Sequence, residues 1–256
     1  NFSEFTIEVN PETVDRDLAE FLQSSAVTRV SIGIQSFDEK FLNILGRSCS
    51  VKSIYKSLEI LKNLANKEVN LDIISSIPGQ KPHQAVADLE KALMFDPDHI
   101  SLYYLTIEEN PPLGKKYSPE EQNEYCWLKS CDYLASKNYT HYEISNFAKN
   151  GKKCQHNLNY WKMIPYIGCG ISAVSTLIFN NEVRRITNTN NVNLYLDGKD
   201  KNWNSETEII DKKDFLIETL MMGLRTDEGV ELDILKKRFN IDLAAALEPL
   251  FFKWKK

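Results

Sequence analysis

No run of about 18 apolar residues occurs anywhere in the chain, so no transmembrane helix is predicted. No basic excess is present either: 31 Lys and Arg stand against 36 Asp and Glu, a net charge of −5. That balance gives no reason to expect a nucleic-acid partner. No secretory signal pattern opens the sequence. The five cysteines, Cys49, Cys126, Cys131, Cys154 and Cys169, are odd in number and scattered. None forms C-x-x-C or C-x-x-x-C-x-x-C, so their spacing offers no metal or cluster site. Without a signal they read as reduced thiols of a cytoplasmic protein. The full G-x-G-x-x-G fingerprint is missing too; only Gly168-Cys169-Gly170 occurs, a weak signal by itself. What remains is globular in character, with 42% apolar and 26% charged residues over 256 positions. One large domain, or one with a small appendage, is expected.

The order of elements points to an α/β fold. Phe5–Val9 alternates as a strand and leaves through Asn10-Pro11, where Asn10 is placed to cap a helix carrying Val14, Leu18, Phe21 and Leu22. Arg29–Gln35 (RVSIGIQ) is a second strand. Asp38–Leu45 reads as a short helix closed by Gly46. Ser50 caps a helix whose apolar stripe is Ile54, Leu58, Leu61 and Leu64. Asn70–Gln80 (NLDIISSIPGQ) is a buried strand running into a Pro78-Gly79 turn. Ala85–Leu93 is an amphipathic helix and His99–Leu105 a strand. Ser118-Pro119-Glu120-Glu121 is a capping box for a helix running to about Ala135. Thr140–Ile144 is a further strand. This alternation predicts a parallel sheet with right-handed crossovers. After Ser145 the pattern breaks, and Asn146–Gly170 reads as a long, Asn-rich and aromatic loop, which is usually functional. Ala173–Phe179 and Val183–Ile186 are set to pair as a hairpin across Asn180-Asn181. From Asp211 onward the periodicity is helical, including Leu232–Phe239 and Leu243–Phe251, with a fraying end at Lys253–Lys256.

Polar residues stand where strands stop: Glu8, Gln35, Asp72 and Thr106. In α/β sheets ligands bind at the carboxyl ends of strands, so the row reads either as a small-molecule cleft or as a rim of satisfied hydrogen bonds. Asp72 is the sharpest of them, because a carboxylate in an apolar strand needs a partner. Arg47 is placed to meet Glu8, Asp72 or a ligand carboxylate. His156, beside Cys154 and within HNLNYW (His156–Trp161), reads either as a ligand-contacting imidazole or as a structural one. His83, His99 and His141 read as structural.

Glu8-Val9-Asn10-Pro11, Ser31–Phe37, Leu45-Gly46-Arg47, Asp72 with Pro78-Gly79-Gln80, Tyr142–Ala148 (YEISNFA) and His156–Trp161 together resemble one family. It is the radical S-adenosylmethionine proteins of the oxygen-independent coproporphyrinogen III oxidase group, in the heme-chaperone branch. The likeness runs from Glu4 to about Arg225. It implies a partial (β/α)6 barrel with parallel strands over residues 1–186 and a small helical C-terminal domain over 187–256. It implies S-adenosylmethionine at Glu8, Gln35, Arg47 and Asp72, with Thr106 and Val174 beside them, and heme at His156. It also implies a 4Fe–4S cluster, whose thiolates this chain does not offer. The chain opens at Asn1 and is strand-like from Glu4, so it is expected to begin at about the barrel's third strand, with the cluster cysteines upstream. The expected role is heme binding and transfer to an acceptor protein. The alternatives are radical decarboxylation of coproporphyrinogen III propionates, or an inactive truncated barrel. The sequence departs from the family pattern at Ser75-Ser76, where an aromatic-glycine pair is usual, and at Cys49, where histidine is usual.

Overall fold

The computed structural model describes residues 3–107, 113–179, 182–198, 203–242, 245, 247–248 and 253. Residue contacts divide the chain into two compact units, Asn1–His156 and Asn157–Lys256.

In the first unit, strands β1 (Thr6–Val9), β2 (Arg29–Gln35), β3 (Glu68–Ser75) and β4 (His99–Tyr104) pair in parallel. Helix α1 (Arg16–Ser24) lies between β1 and β2 in sequence, and α2 (Glu39–Ile44) and α3 (Val51–Leu61) between β2 and β3. Helix α4 (Pro82–Leu93) leads to β4, and α5 (Glu124–Ser136) follows it. The starts of these helices obey local capping chemistry. Asp15 accepts from the Leu18 N–H at 2.8 Å, Asp38 from Lys40 at 2.8 Å, and Ser50 and Ser53 form a reciprocal capping box. Gly46 ends the α2 turn at φ +68°.

Three local expectations are corrected. Pro11 opens a 3-10 turn, Pro11–Thr13, and the Asn10 side chain caps nothing; α1 starts after Asp15. The Ser118 capping box closes another 3-10 turn, Pro119–Glu121, and α5 starts afresh at Asn123. The strand expected at Thr140–Ile144 is β5 (Tyr139–His141), which turns back into β6 (Asn146–Lys149). Both pair antiparallel, giving the order β1-β2-β3-β4-β6-β5, so the sheet is parallel only as far as β4. So short a connection leaves no room for the crossover that parallel neighbours require.

The sheet has two unlike faces, because side chains alternate along a strand. Val30, Ile32, Ile34, Leu71, Ile73, Ile100 and Leu102 are buried in one core with Leu22, Leu58, Leu61, Leu89 and Leu134 of the helices. The opposite face carries Glu8, Arg29, Ser31, Gly33, Asn70, Asp72, His99, Ser101, Tyr103 and Asn146, brought abreast by the register. Parallel strands covered on both sides read as continuous apolar runs; here one face is polar instead.

Helix α6 (Gln155–Trp161) stands inside the stretch expected to be a loop, after β6. In the second unit, β7 (Val174–Ile178) and β8 (Val183–Thr187) form the expected hairpin, whose Asn180-Asn181 turn lies outside the described residues. After α7 (Val192–Leu196), β9 (Glu206–Ile210) joins β8 antiparallel. Helices α8 (Lys212–Gly223), capped by Asp211, and α9 (Leu232–Phe239) follow. Phe215, Leu235 and Phe239 of these helices share a core with Val183 and Ile210 of the strands. The strands before residue 187 and the helices after it therefore belong to one compact unit. Much of the expected Leu243–Phe251 helix, and residues 254–256 of the tail, lie outside the described residues. Among the described residues no helix is long and apolar enough to cross a membrane.

Candidate functional site

The polar face of the first unit is a connected network. Asn70 is its centre. The Asn70 Nδ2 donates toward Ser31 Oγ (2.7 Å), Asp72 Oδ1 (2.8 Å) and Ser101 Oγ (3.1 Å). Ser31 Oγ donates to Asp72 Oδ2 at 3.1 Å. Asp72 thus accepts from Asn70 and Ser31 and is not paired with Arg47. Burial pushes the Asp72 carboxyl above its ordinary value; the Ser101, Asn70 and Ser31 side chains oppose this, and the Glu8 charge adds to it. Burial, then the Asp72 charge, also raises the Tyr103 phenol, with Glu143 and Glu8 contributing. Glu8, Asp72 and Tyr103 are therefore electrostatic neighbours on one face, although Glu8 and Tyr103 are exposed to solvent.

Gln35 ends β2 with a left-handed backbone, φ +64°, unusual for a residue with a side chain. Such strain persists where surrounding structure fixes it, and clusters at ligand sites. Its amide lies over Gly33: a Cβ at Gly33 would meet Gln35 Nε2 at 2.8 Å. Gly33 pairs with Asp72 in the register, so the Gln35 amide belongs to the same polar patch. Ser76 repeats the feature at the end of β3, with φ +60°.

The structure brings Glu8, Gln35 and Asp72 together. Arg47 is exposed in the α2–α3 connection and, among the described residues, makes no ion pair with Glu8 or Asp72. Thr106 is exposed just beyond β4. Val174 opens β7 in the second unit, opposite Thr187. His156 stands exposed in the first turn of α6.

Sequence reasoning missed Ser31, Asn70 and Ser101, which hold the network, and Tyr103 beside them; His99, read as structural, is buried with Nδ1 on Asn70 Oδ1. Their signal was the period-two alternation of polar residues through β2, β3 and β4, which marks a face and not only strand ends.

Residues 2–92 match the Radical SAM superfamily, and residues 210–253 match the HemN C-terminal domain. Over 246 residues the chain is 34% identical to heme chaperone HemW of Buchnera aphidicola subsp. Schizaphis graminum (strain Sg), covering 94% of this chain and 64% of that protein. Against heme chaperone HemW of Escherichia coli (strain K12) it is 34% identical over 214 residues, covering 82% of this chain and 57% of that protein.

The chain is similar to the HemW proteins of the radical S-adenosylmethionine group.

It spans about three-fifths of the length of these curated HemW relatives. The solved structure of the Escherichia coli coproporphyrinogen III oxidase HemN superposes with a TM-score of 0.77 at 17% identity, covering 98% of this chain and 63% of that one. The fold is accordingly a partial radical S-adenosylmethionine barrel with a helical C-terminal part. A left-handed backbone favours glycine; position 76 holds it with a serine, whose hydroxyl donates to the Asn123 carbonyl at 3.0 Å.

The HNLNYW segment is anchored from far away in sequence. Glu4 accepts from the backbone N–H of Gln155 (2.9 Å) and His156 (3.0 Å). Burial pushes Glu4 upward, but those two N–H donors and the Arg29 charge outweigh it and hold the carboxyl below its ordinary value. The segment before β1 thereby holds the first turn of α6.

Proposed function

We propose that this protein is a cytoplasmic heme-binding chaperone that passes heme to an acceptor protein. The carrying observation is the 34% identity to proteins named heme chaperone HemW over 94% of the chain. The oxidase likeness, at 17% identity, speaks for the fold alone.

S-adenosylmethionine suits the polar face. Its ammonium, sulfonium and ribose hydroxyls call for anions and acceptors, and Glu8 and Asp72 supply them, with the Gln35 amide beside them. Arg47, Thr106 and Val174 complete the proposed set, Arg47 as the partner of a carboxylate. The cofactor is a source of radical chemistry when reduced by a cluster. The cysteines present do not fit a 4Fe–4S cluster, which needs grouped thiolates. Cys49, Cys126 and Cys154 are buried and scattered, and no metal-holding group of His, Cys, Asp or Glu occurs among the described residues.

The Gly33→Ala variant tests the cofactor face. Its Cβ displaces the tip of a flexible side chain, not backbone. The melting temperature is expected to stay within a few degrees of wild type. The affinity for S-adenosylmethionine, read by calorimetry, is expected to fall about tenfold, the loss of one charge-assisted contact. Unchanged affinity would remove Gln35 from the site.

Heme is proposed to meet the exposed His156 imidazole, which the Glu4 anchor holds at the start of α6. In the full-length protein His156→Ala is expected to weaken heme binding, seen as a shifted Soret titration. An unaltered titration sinks the assignment.

A further inference from the structure

The second unit contains a cavity that the proposed heme and cofactor residues do not use. Its volume is about 340 Å³, within the range of small-molecule pockets. Ile178, Val183, Phe215 and Phe239 line it with hydrocarbon, and Arg238 and Lys212 bring two cations to the same wall. Glu182 also lines it but is paired with Arg184. Arg238 lies over the Phe215 ring, 5.4 Å from its centroid. Its Nη1 is buried and has no hydrogen-bond partner, and it forms no ion pair among the described residues. Burial pushes its pKa below the ordinary arginine value. A partly desolvated guanidinium without an anion is unfavourable, and Arg238, half-buried, is one of the residues lining the hollow.

We propose that this cavity binds the carboxylate end of an apolar acid, with the anion on Arg238 and Lys212 and the hydrocarbon body against Phe215, Phe239, Ile178 and Val183. The shared chemistry has two sources, a propionate of heme or a free aliphatic carboxylate. The first would give heme a second seat beyond His156 and rests on the heme-chaperone reading; the second stands without it.

The test titrates the full chain with hemin and, separately, with decanoate, for wild type, Arg238→Met, Lys212→Met and His156→Ala. Arg238 is half-buried and unpaired, so replacing it by an apolar side chain of similar length removes a desolvation cost, and Arg238→Met should melt no lower than wild type. Lys212 is exposed, and its variant guards against misfolding. Each of the two is expected to weaken the bound ligand, Arg238→Met by about tenfold to a hundredfold, as for a lost hydrogen bond to a charged group. A loss for decanoate assigns a free carboxylate; a loss for hemin alone assigns the propionate. If neither variant changes either titration while His156→Ala still weakens hemin, the cavity proposal falls and the heme reading stands. If no protein binds hemin but decanoate responds to Arg238→Met, the heme reading falls and the cavity proposal stands.

Discussion

The Arg29→Met variant is expected to lose about 3–5 kcal/mol of stability, the usual cost of breaking a buried ion pair from one side. Arg29 is only 2% exposed. Its Nε lies 3.3 Å from Glu4 Oε2 and its Nη2 2.5 Å from Glu68 Oε2. The same Nη2 donates to the carbonyls of Lys152 (3.0 Å) and Lys153 (3.3 Å). One guanidinium therefore ties the segment before β1, the start of β3 and the segment before α6. Removing it strands the Glu4 carboxylate, of which 8% of the side chain is exposed. Urea denaturation at neutral pH measures the loss. Because Glu4 also holds the N–H groups of Gln155 and His156, weakened heme binding should accompany it. A loss below about 1 kcal/mol, the scale of a surface pair, would contradict the account.

The second large effect is acid sensitivity through His99. His99 is 1% exposed, with Nδ1 2.6 Å from Asn70 Oδ1 and Nε2 2.8 Å from Tyr142 Oη. Asn70 Oδ1 only accepts, so Nδ1 carries the proton and Nε2 accepts from the tyrosine. Tyr142 Oη in turn accepts the Cys154 N–H at 3.1 Å. Burial first, and the Arg29 charge second, lower His99 from 6.5 to about 3. Between those values the unfolded chain binds a proton that the folded chain refuses. Stability therefore falls as pH falls from about 6.5 toward 3. At about 1.4 kcal/mol per pH unit, the total reaches about 5 kcal/mol. Asp72, Asp88 and Glu143, whose carboxyls burial raises, act in the opposite sense, gaining stability as they bind protons in acid. His99→Asn isolates the histidine: stability curves of variant and wild type should diverge at neutral pH and converge as pH falls. Parallel curves would rule out His99 as the source.

Much of this was legible in the sequence, for physical reasons that differ by element. The first four strands and their helices announce themselves through apolar spacing and caps such as Asp38 and Ser50, which act within a few residues of where they stand. β5 and β6 were misread because His141–Asn146 has no Gly or Pro to mark its turn. The loop expected at Asn146–Gly170 hides α6, whose first turn is completed by Glu4, too distant in sequence for any local pattern to show.

The sequence by itself carried the likeness to the HemW proteins, through ordered motifs from Glu8 to Trp161, and the acceptor chemistry of Glu8 and Asp72. Only the tertiary structure decided which of the proposed groups meet. Register places Gly33, Asp72 and Ser101 abreast, and hydrogen bonding gathers Ser31 and Asp72 on Asn70, whereas Arg47 stays in solvent. Asp72 looked like a costly carboxylate in an apolar strand. It is one side of a two-faced sheet, because residues adjacent in sequence point to opposite faces and only strand pairing decides which neighbours a polar face receives.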